Sequence, residues 1–167
     1  MQQLGDKIAA KKIAIKAKVP VIEGAELKSS NILEIKEIAL KIGYPVMLKA
    51  AAGGGGRGMR VVKNEKELER NYSEAKGEAG KAFNDDTIFI EKFIDSPKHI
   101  EVQILADEYG NTVHLFERDC SVQRRFQKVI EVAPCQNISQ ETKEKLYSYA
   151  LAITKSVNYS NAGTVEF

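Results

Sequence analysis

The spacing of hydrophobic residues along the chain predicts four helices, each with one apolar face. They are expected over residues 6–18, 32–42, 64–83 and 140–157. The three apolar stripes that define the later helices consist of Ile32, Ile35, Ala39 and Ile42, then Leu68, Tyr72, Ala75, Ala79 and Phe83, and finally Leu146, Ala150, Ile153 and Val157. Such stripes are typical of helices that cover the core with one side only.

Residues at the ends of these segments support the helix boundaries. Ser29-Ser30-Asn31 and Ser139 offer N-caps for the second and fourth helices, and Gly43 is expected to end the second. Asn64 followed by Glu67 predicts a capping box at the start of the third helix.

Shorter apolar runs and alternating runs predict strands. Pro45–Leu48 and Met59–Val62 flank a glycine cluster and indicate a β-hairpin. Further strands are expected within 87–94, 100–104, 113–116, 128–132 and 163–167. Because helices and strands occur in separate runs, the sequence predicts an α+β fold with antiparallel sheet.

The glycine cluster at Gly53–Gly56, with Gly58 beyond it, is the most distinctive stretch of the chain. Main-chain N–H groups in such a loop, with Lys49 and Arg57 beside them, are suited to binding phosphate. A strand rather than a helix follows the last glycine, so neither a Walker A loop nor a dinucleotide fingerprint fits. A flexible hairpin tip without a ligand is the alternative.

Composition and charge are those of an ordinary globular protein and argue against membrane and nucleic-acid-binding proteins. A net charge of +2 and a hydrophobic content of 43% are ordinary for a globular protein. No apolar stretch is long enough to span a membrane, and no basic run with interleaved aromatic residues indicates nucleic acid. Cys120 and Cys135 have neither metal-ligand nor redox spacing, so reduced thiols are expected.

Several charged residues fall on predicted strands. Alternation places Glu91 and Lys92 on opposite faces, so one of them should point toward the core and need a partner, unless the strand is an edge strand. His99, Glu101 and Gln103 share one face, which a solvated surface explains, and one histidine with one carboxylate is a poor metal site.

The segment from Glu117 to Lys128 is too polar for an ordinary half-buried strand. Arg124 and Arg125 within it are typical surface charges, although beside the glycine loop they would form an anion-handling surface. Glu166 lies between two apolar residues, and from its spacing alone an outward-facing solvated carboxylate is expected rather than a ligand for Mg²⁺. Spacing likewise gives Lys7 no more than a surface role.

Seven motifs in order along the chain resemble the biotin carboxylase component of biotin-dependent carboxylases, an ATP-grasp enzyme family. The motifs are GDK at 5–7, GYPVMLKA at 43–50, GGGGRGM at 53–59, EKFI at 91–94, HIEVQ at 99–103, ERDCSVQRR with QK at 117–128, and AGTVEF at 162–167. The resemblance covers essentially the whole chain. VHLFERDCSVQRR and EVAP favour the pyruvate carboxylase branch over the acyl-CoA branches.

This resemblance implies an ATP-grasp fold in which nucleotide lies between two α+β lobes. Residues 1–20 would be the end of a preceding domain, 21–93 the lid that carries the glycine loop, and 94–167 the start of the larger lobe. The chain begins abruptly and stops inside a predicted strand, so we expect it to be a piece of a longer polypeptide.

The resemblance also implies roles for individual residues. The expected nucleotide-binding set is Lys7 and Lys49 on the phosphates, Gly55 and Gly56 in the loop over them, Glu91, Lys92, Phe93 and Ile94 at the adenine, and His99 and Gln123 as further contacts. Lys128 would bind bicarbonate and Glu166 would bind Mg²⁺ or Mn²⁺. Phe126 stands where the family often has histidine, so one polar nucleotide contact is expected to be missing.

The implied reaction is the ATP- and Mg²⁺-dependent carboxylation of biotin by bicarbonate through carboxyphosphate. A biotin carrier domain would be the partner, the parent protein a homo-oligomeric ligase, and its location the cytoplasm or, in a eukaryote, the mitochondrial matrix. Other metal and bicarbonate residues of the family follow AGTVEF, so the isolated chain is expected to be inactive. The alternatives are the lid of another ATP-grasp ligase, such as a carbamoyl-phosphate synthase type, and a non-enzymatic anion-binding module.

Overall fold

The computed structural model describes residues 7–27, 30–52 and 58–167, apart from the side chain of Lys7. The described helices are α1 (Lys7–Lys16), α2 (Ile32–Ile42), α3 (Glu65–Phe83) and α4 (Gln140–Ser156). The described strands are β1 (Gly24–Leu27), β2 (Val46–Ala50), β3 (Met59–Val62), β4 (Ile88–Lys92), β5 (Ile100–Ala106), β6 (Thr112–Arg124), β7 (Gln127–Val132) and β8 (Asn161–Glu166). None of the helices in these ranges is long and apolar enough to cross a membrane.

The chain divides into two compact units, one made mainly of Val21–Asp95 and the other mainly of Ser96–Phe167. Each contains a four-stranded sheet in which all the pairings are antiparallel. The α+β class with antiparallel sheet is therefore confirmed.

The first unit packs α2 and α3 against the sheet β1-β4-β2-β3. Alternate strand residues such as Val46, Leu48, Ile88 and Ile90 point toward the helices and are fully buried. The predicted helix stripes face them, and the strongest contributors are Ile35, Ala39, Leu68, Ala75 and Ala79. Burial of these apolar side chains is the main stabilising term of this unit.

The caps of α2 follow the prediction. Asn31 accepts a hydrogen bond from the Leu33 amide, and Gly43 ends the helix at φ +81°, a conformation that glycine adopts at no steric cost. The predicted capping box of α3 is wrong in detail. Asn64 makes no side-chain cap bond and instead donates to Glu67, whose other oxygen accepts from the Lys63 amide at 3.2 Å.

The glycine hairpin is confirmed where the structure describes it. Strands β2 and β3 pair from Val46 opposite Val62 to Lys49 opposite Met59, and the Ala50 amide donates to the Gly58 carbonyl at 3.0 Å. Gly55 and Gly56 lie outside the described residues.

The second unit has the strand order β7-β6-β5-β8, with α4 packed on β5 and β6. Val102 and Ile104 of β5 form its core with Tyr147 and Ala150 of α4. Ser139 caps α4 by accepting from the Thr142 amide, as predicted.

Strand β6 begins within one residue of the prediction, and the polar segment after Phe116 continues it to Arg124. Arg125 and Phe126 then turn the chain with φ values of +52° and +63°, and β7 begins at Gln127. Positive φ at both central residues is the geometry of a two-residue hairpin that matches strand twist. The polar segment therefore lies in the sheet, where Glu117, Arg118 and Lys128 pair with charged residues outside the segment.

Candidate functional site

Two groups of charged side chains carry the candidate chemistry, one in each unit. The first lies on β2 and β4, on the sheet face opposite α2 and α3. The second lies where β5, β6, β7 and β8 run side by side.

In the first group, the ammonium of Lys49 forms an ion pair with the carboxylate of Glu91. Glu91 is buried, whereas Lys49 is about a quarter exposed. Glu91 is thus buried and has a partner, and β4 is an inner strand rather than an edge strand. Lys92 occupies the other face, toward the helices. Its Nζ donates to the carbonyls of Gly43 at 2.7 Å and Tyr44 at 3.2 Å, where α2 ends.

Two main-chain amides at the end of β4 already donate hydrogen bonds within the protein. The Lys92 amide donates to the Glu23 carbonyl at 2.8 Å, and the Phe93 amide donates to the Pro45 carbonyl at 3.2 Å. Any contact that these two residues make with a nucleotide must therefore use carbonyl or side-chain atoms. Ile94, the next residue, is exposed.

The second group is assembled by strand register. Glu101 of β5 lies directly opposite Arg118 of β6 on one side and Glu166 of β8 on the other, and Gln123 lies opposite Lys128. Pairing of antiparallel strands brings the side chains of opposed residues within contact distance. Residues separated by more than 60 positions in the chain thereby share one surface.

Lys128 is the bridge of this group. Its ammonium contacts Oε2 of Glu101 and lies 2.6 Å from Oε1 of Glu166. Glu101 is 2% exposed, so the expectation of a solvated outer face is wrong for this residue. The face is polar because it holds paired charges, and not because water covers it.

His99 and Gln123 lie together at the edge of this group. Nε2 of Gln123 is 3.0 Å from Nδ1 of His99 and donates to the Cys120 carbonyl at 2.9 Å. If the amide donates to Nδ1, the imidazole proton lies on Nε2. That Nε2 is buried, makes no hydrogen bond within the described ranges, and lies 3.6 Å from Oε1 of Glu166.

The ionisation of the group follows from these contacts. Burial raises the pKa of Glu101, but hydrogen bonds from Lys128 and Arg118 outweigh it and leave that pKa below its usual value. Burial also opposes charge on Lys128, yet the two carboxylates raise its pKa. His99 and Lys128 lower the pKa of Glu166 to about 2 against the opposing effect of burial. All three groups are charged at neutral pH.

His99, Glu101 and Glu166 place one ligand atom each within 4.8 Å of one another. Residues 99–103 contribute one histidine and one carboxylate to this cluster, and β8 supplies the additional carboxylate. Mg²⁺ prefers oxygen ligands and needs only one or two carboxylates when phosphate oxygens complete its shell. Glu166, with 57% of its side chain exposed, fits that requirement.

Two residues of the group were not among the predicted site residues. Glu101 is expected on a solvated face, and Arg118 only as part of the polar segment from Glu117 to Lys128. The sequence does contain a signal for both residues. His99, Glu101 and Gln103 form one polar strand face, and the Glu117–Lys128 segment is a second polar stretch that could pair with it as a neighbouring strand.

The structure describes the remaining predicted residues only in part. The backbone of Lys7 begins α1, but its side chain lies outside the described part, as do Gly55 and Gly56. Phe126 projects from the β6–β7 turn with a half-exposed ring.

Comparison with known proteins agrees with this geometry. Residues 6–167 match the family described as carbamoyl-phosphate synthase L chain, ATP binding domain. Pyruvate carboxylase of Aspergillus terreus is 51% identical over all 167 residues, and that of Bacillus subtilis is 50% identical over the same length. In each case the chain spans only 14% of the length of the relative.

Solved structures give the same result. The biotin carboxylase domain dimer of Hydrogenobacter thermophilus 2-oxoglutarate carboxylase, in complex with MgADP, ADP and bicarbonate, matches 99% of this chain with a TM-score of 0.94 and 49% identity, over 37% of its own chain. Campylobacter jejuni biotin carboxylase, in complex with β,γ-ATP, matches 98% of this chain with a TM-score of 0.93 and 50% identity, over 36% of its own chain. The chain therefore belongs to the family of the ATP-binding domain of the carbamoyl-phosphate synthase L chain, and its resemblance to the biotin carboxylase domain of biotin-dependent carboxylases is confirmed.

Proposed function

We propose that this chain supplies part of the ATP- and bicarbonate-binding region of a biotin carboxylase. The observation that carries the proposal is the Lys128 ammonium held between the carboxylates of Glu101 and Glu166. The reaction would be phosphoryl transfer from ATP to bicarbonate, giving carboxyphosphate, followed by carboxylation of biotin.

Residues 21–93 would form the lid that binds the nucleotide. Residues 94–167 would form the start of the larger lobe. Lys49 and Lys7 would bind the phosphates, with Gly55 and Gly56 over them. Glu91, Lys92, Phe93 and Ile94 would recognise the adenine, with carbonyls available at Lys92 and Phe93 because their amides are already bonded. His99 and Gln123 would add contacts from the second unit.

Glu166 would hold Mg²⁺, or Mn²⁺ in its place, through its exposed carboxylate. The ion would neutralise phosphate charge during transfer. Binding of a cation there would compete with Lys128 for Oε1 of Glu166, which lies 2.6 Å from the ammonium. One N–H group of the Lys128 ammonium would then be available to an anion, while the contact between Lys128 and Glu101 remains.

Lys128 would bind bicarbonate because it is a permanent cation on a partly buried polar surface. Phosphoryl transfer spreads negative charge over the transferring group, and fixed lysines stabilise that charge without reorganising. The buried carboxylate of Glu101 holds the ammonium in place before substrate arrives, which reduces the cost of ordering it on binding.

The activity proposed here is that of a longer protein, since the chain spans 14% of the length of its curated relatives. A biotin carrier domain would present the biotin, and the assembly would be homo-oligomeric. Relatives of equal similarity are named for pyruvate and for 2-oxoglutarate. A location in the cytoplasm or the mitochondrial matrix would suit this activity.

The test is ATP hydrolysis by the intact protein that carries this sequence, with Mg²⁺ and free biotin. We expect turnover that requires bicarbonate and rises with biotin. Turnover independent of bicarbonate, or failure to bind adenine nucleotide with Mg²⁺ present, would exclude the function. The isolated 167-residue chain should show no bicarbonate-dependent turnover.

A further inference from the structure

Arg118 contacts several polar side chains of the second unit and has no role in the function proposed above. It lies opposite Glu101 across β5 and β6. Its Nε donates to Oε1 of Glu101 at 2.8 Å, Nη2 contacts the same oxygen, and Nη1 donates to Oε1 of Gln103 at 3.0 Å. The planar guanidinium thus fixes two neighbouring side chains of one strand at once.

The contacts of Arg118 divide the Glu101 carboxylate between two cations. Oε1 accepts from Arg118, and Oε2 accepts from Lys128. A carboxylate this deeply buried needs compensating charge. Without the guanidinium, Lys128 would be the only cation of the described ranges in contact with Glu101, and the ammonium would be drawn fully to it.

A second connection runs from Arg118 to the strand of the proposed metal ligand. Gln103, which accepts from Arg118, donates through Nε2 to the Gly163 carbonyl of β8 at 2.9 Å. Gly163 precedes Glu166 by three residues on the same strand. Arg118 therefore contacts, directly or through one side chain, the elements that hold both Lys128 and Glu166.

We propose that Arg118 is a positioning residue for the bicarbonate site. It holds the Glu101 carboxylate in one orientation and neutralises part of its charge, so that Lys128 keeps donors available for the anion. This inference rests on the proposed function, because it assigns the anion at Lys128 to bicarbonate. The inference predicts that replacing Arg118 impairs the use of bicarbonate but leaves ATP binding nearly unchanged.

The experiment compares Arg118→Gln and Arg118→Lys with the unsubstituted intact protein. We expect Arg118→Gln to raise the KM for bicarbonate by roughly tenfold while the KM for ATP stays within about twofold. Arg118→Lys restores the charge but not the forked contact with Gln103, so its KM should be intermediate. The matched control is Arg70→Gln, because Arg70 is an exposed arginine on α3 that pairs with Glu74 one turn away. Both of its KM values should be unchanged.

An unchanged bicarbonate KM in Arg118→Gln would overturn the proposal. Equal rises in both KM values with a lower Tm would also overturn it, because that pattern is one of general destabilisation. If Arg118→Gln does not fold, Arg118→Lys decides, and a wild-type bicarbonate KM there refutes the positioning role. Absence of bicarbonate-dependent turnover in the unsubstituted protein would instead refute the proposed function.

Discussion

Lys49 and Glu91 form an ion pair between β2 and β4, although Phe89, and not Glu91, is directly opposite Lys49 in the strand register. The pair is therefore a diagonal one, which long side chains can reach. Because Glu91 is buried, the pair holds the lysine against the sheet. Under the proposed function, nucleotide phosphates must compete with Glu91 for this ammonium.

Replacing Lys49 with alanine should therefore weaken nucleotide binding. We expect Lys49→Ala to raise the KM for ATP by roughly tenfold or more, because a lost hydrogen bond to a charged group is worth about 1.5–3 kcal/mol. The KM for bicarbonate should change little. Steady-state kinetics of the intact protein measure both, and Lys81→Ala, an exposed lysine on α3, serves as the control.

Lys128→Ala should give the opposite pattern. Its ammonium lies in the second unit between Glu101 and Glu166, so its loss should mainly raise the KM for bicarbonate or lower kcat. The KM for ATP should stay close to that of the unsubstituted protein. Defects of the same kind in Lys49→Ala and Lys128→Ala would contradict the assignment of the two lysines to different substrates.

Two glycines should respond in opposite directions to alanine. Gly58 has φ +68°, and an added Cβ would lie 2.8 Å from the Cβ of Ala50. We expect Gly58→Ala to lower the free energy of unfolding by more than about 1 kcal/mol. Gly77 lies inside α3 with nothing within 4 Å of an added Cβ. Gly77→Ala should therefore raise the free energy of unfolding by about 0.5–1 kcal/mol.

Urea unfolding of the purified protein measures both glycine variants. The comparison is internally controlled, since each variant adds the same methyl group. Equal effects would mean that backbone strain at Gly58 is not what requires glycine there.

The buried carboxylate of Glu117 should make stability depend on pH. It accepts from Nζ of Lys143 at 2.7 Å, from the Cys135 amide at 3.1 Å and from the Tyr147 hydroxyl. Burial raises the pKa of Glu117, but the bonds from Lys143 and Tyr147 outweigh it and lower that pKa overall. Glu117→Gln should cost about 3 kcal/mol at pH 7, because it leaves Lys143 without its buried counter-charge.

The sign of the pH dependence follows from the lowered pKa of Glu117. The folded state binds this proton less readily than the unfolded state does, so the contribution is complete above the unfolded pKa of about 4.3 and disappears as the pH falls through the folded value. The difference in unfolding free energy between the native protein and Glu117→Gln should therefore shrink below about pH 4.3. A difference that stays constant from pH 7 to pH 3 would show that Glu117 does not carry this charge.

Much of the fold could be predicted from local patterns. The stripe of α2 and its Gly43 cap lie where predicted, because side chains three and four residues apart share one helix face. The hairpin around the glycines was predictable for a similar reason, since its two strands are close in sequence. The predicted capping box at Asn64 is not formed, because Glu67 accepts from the Lys63 amide instead of the Asn64 amide. Residue type alone does not decide between these two neighbouring donors.

The sequence by itself determined the four helices, the strands other than β1, the antiparallel α+β class and, through its motifs, the family. Only the tertiary structure decided that Glu101 is buried, that Arg118 and Lys128 share its carboxylate, and that Glu166 lies beside them. The physical reason is that these contacts depend on the register between strands far apart in the chain. A shift of one residue in that register would turn every side chain to the opposite face.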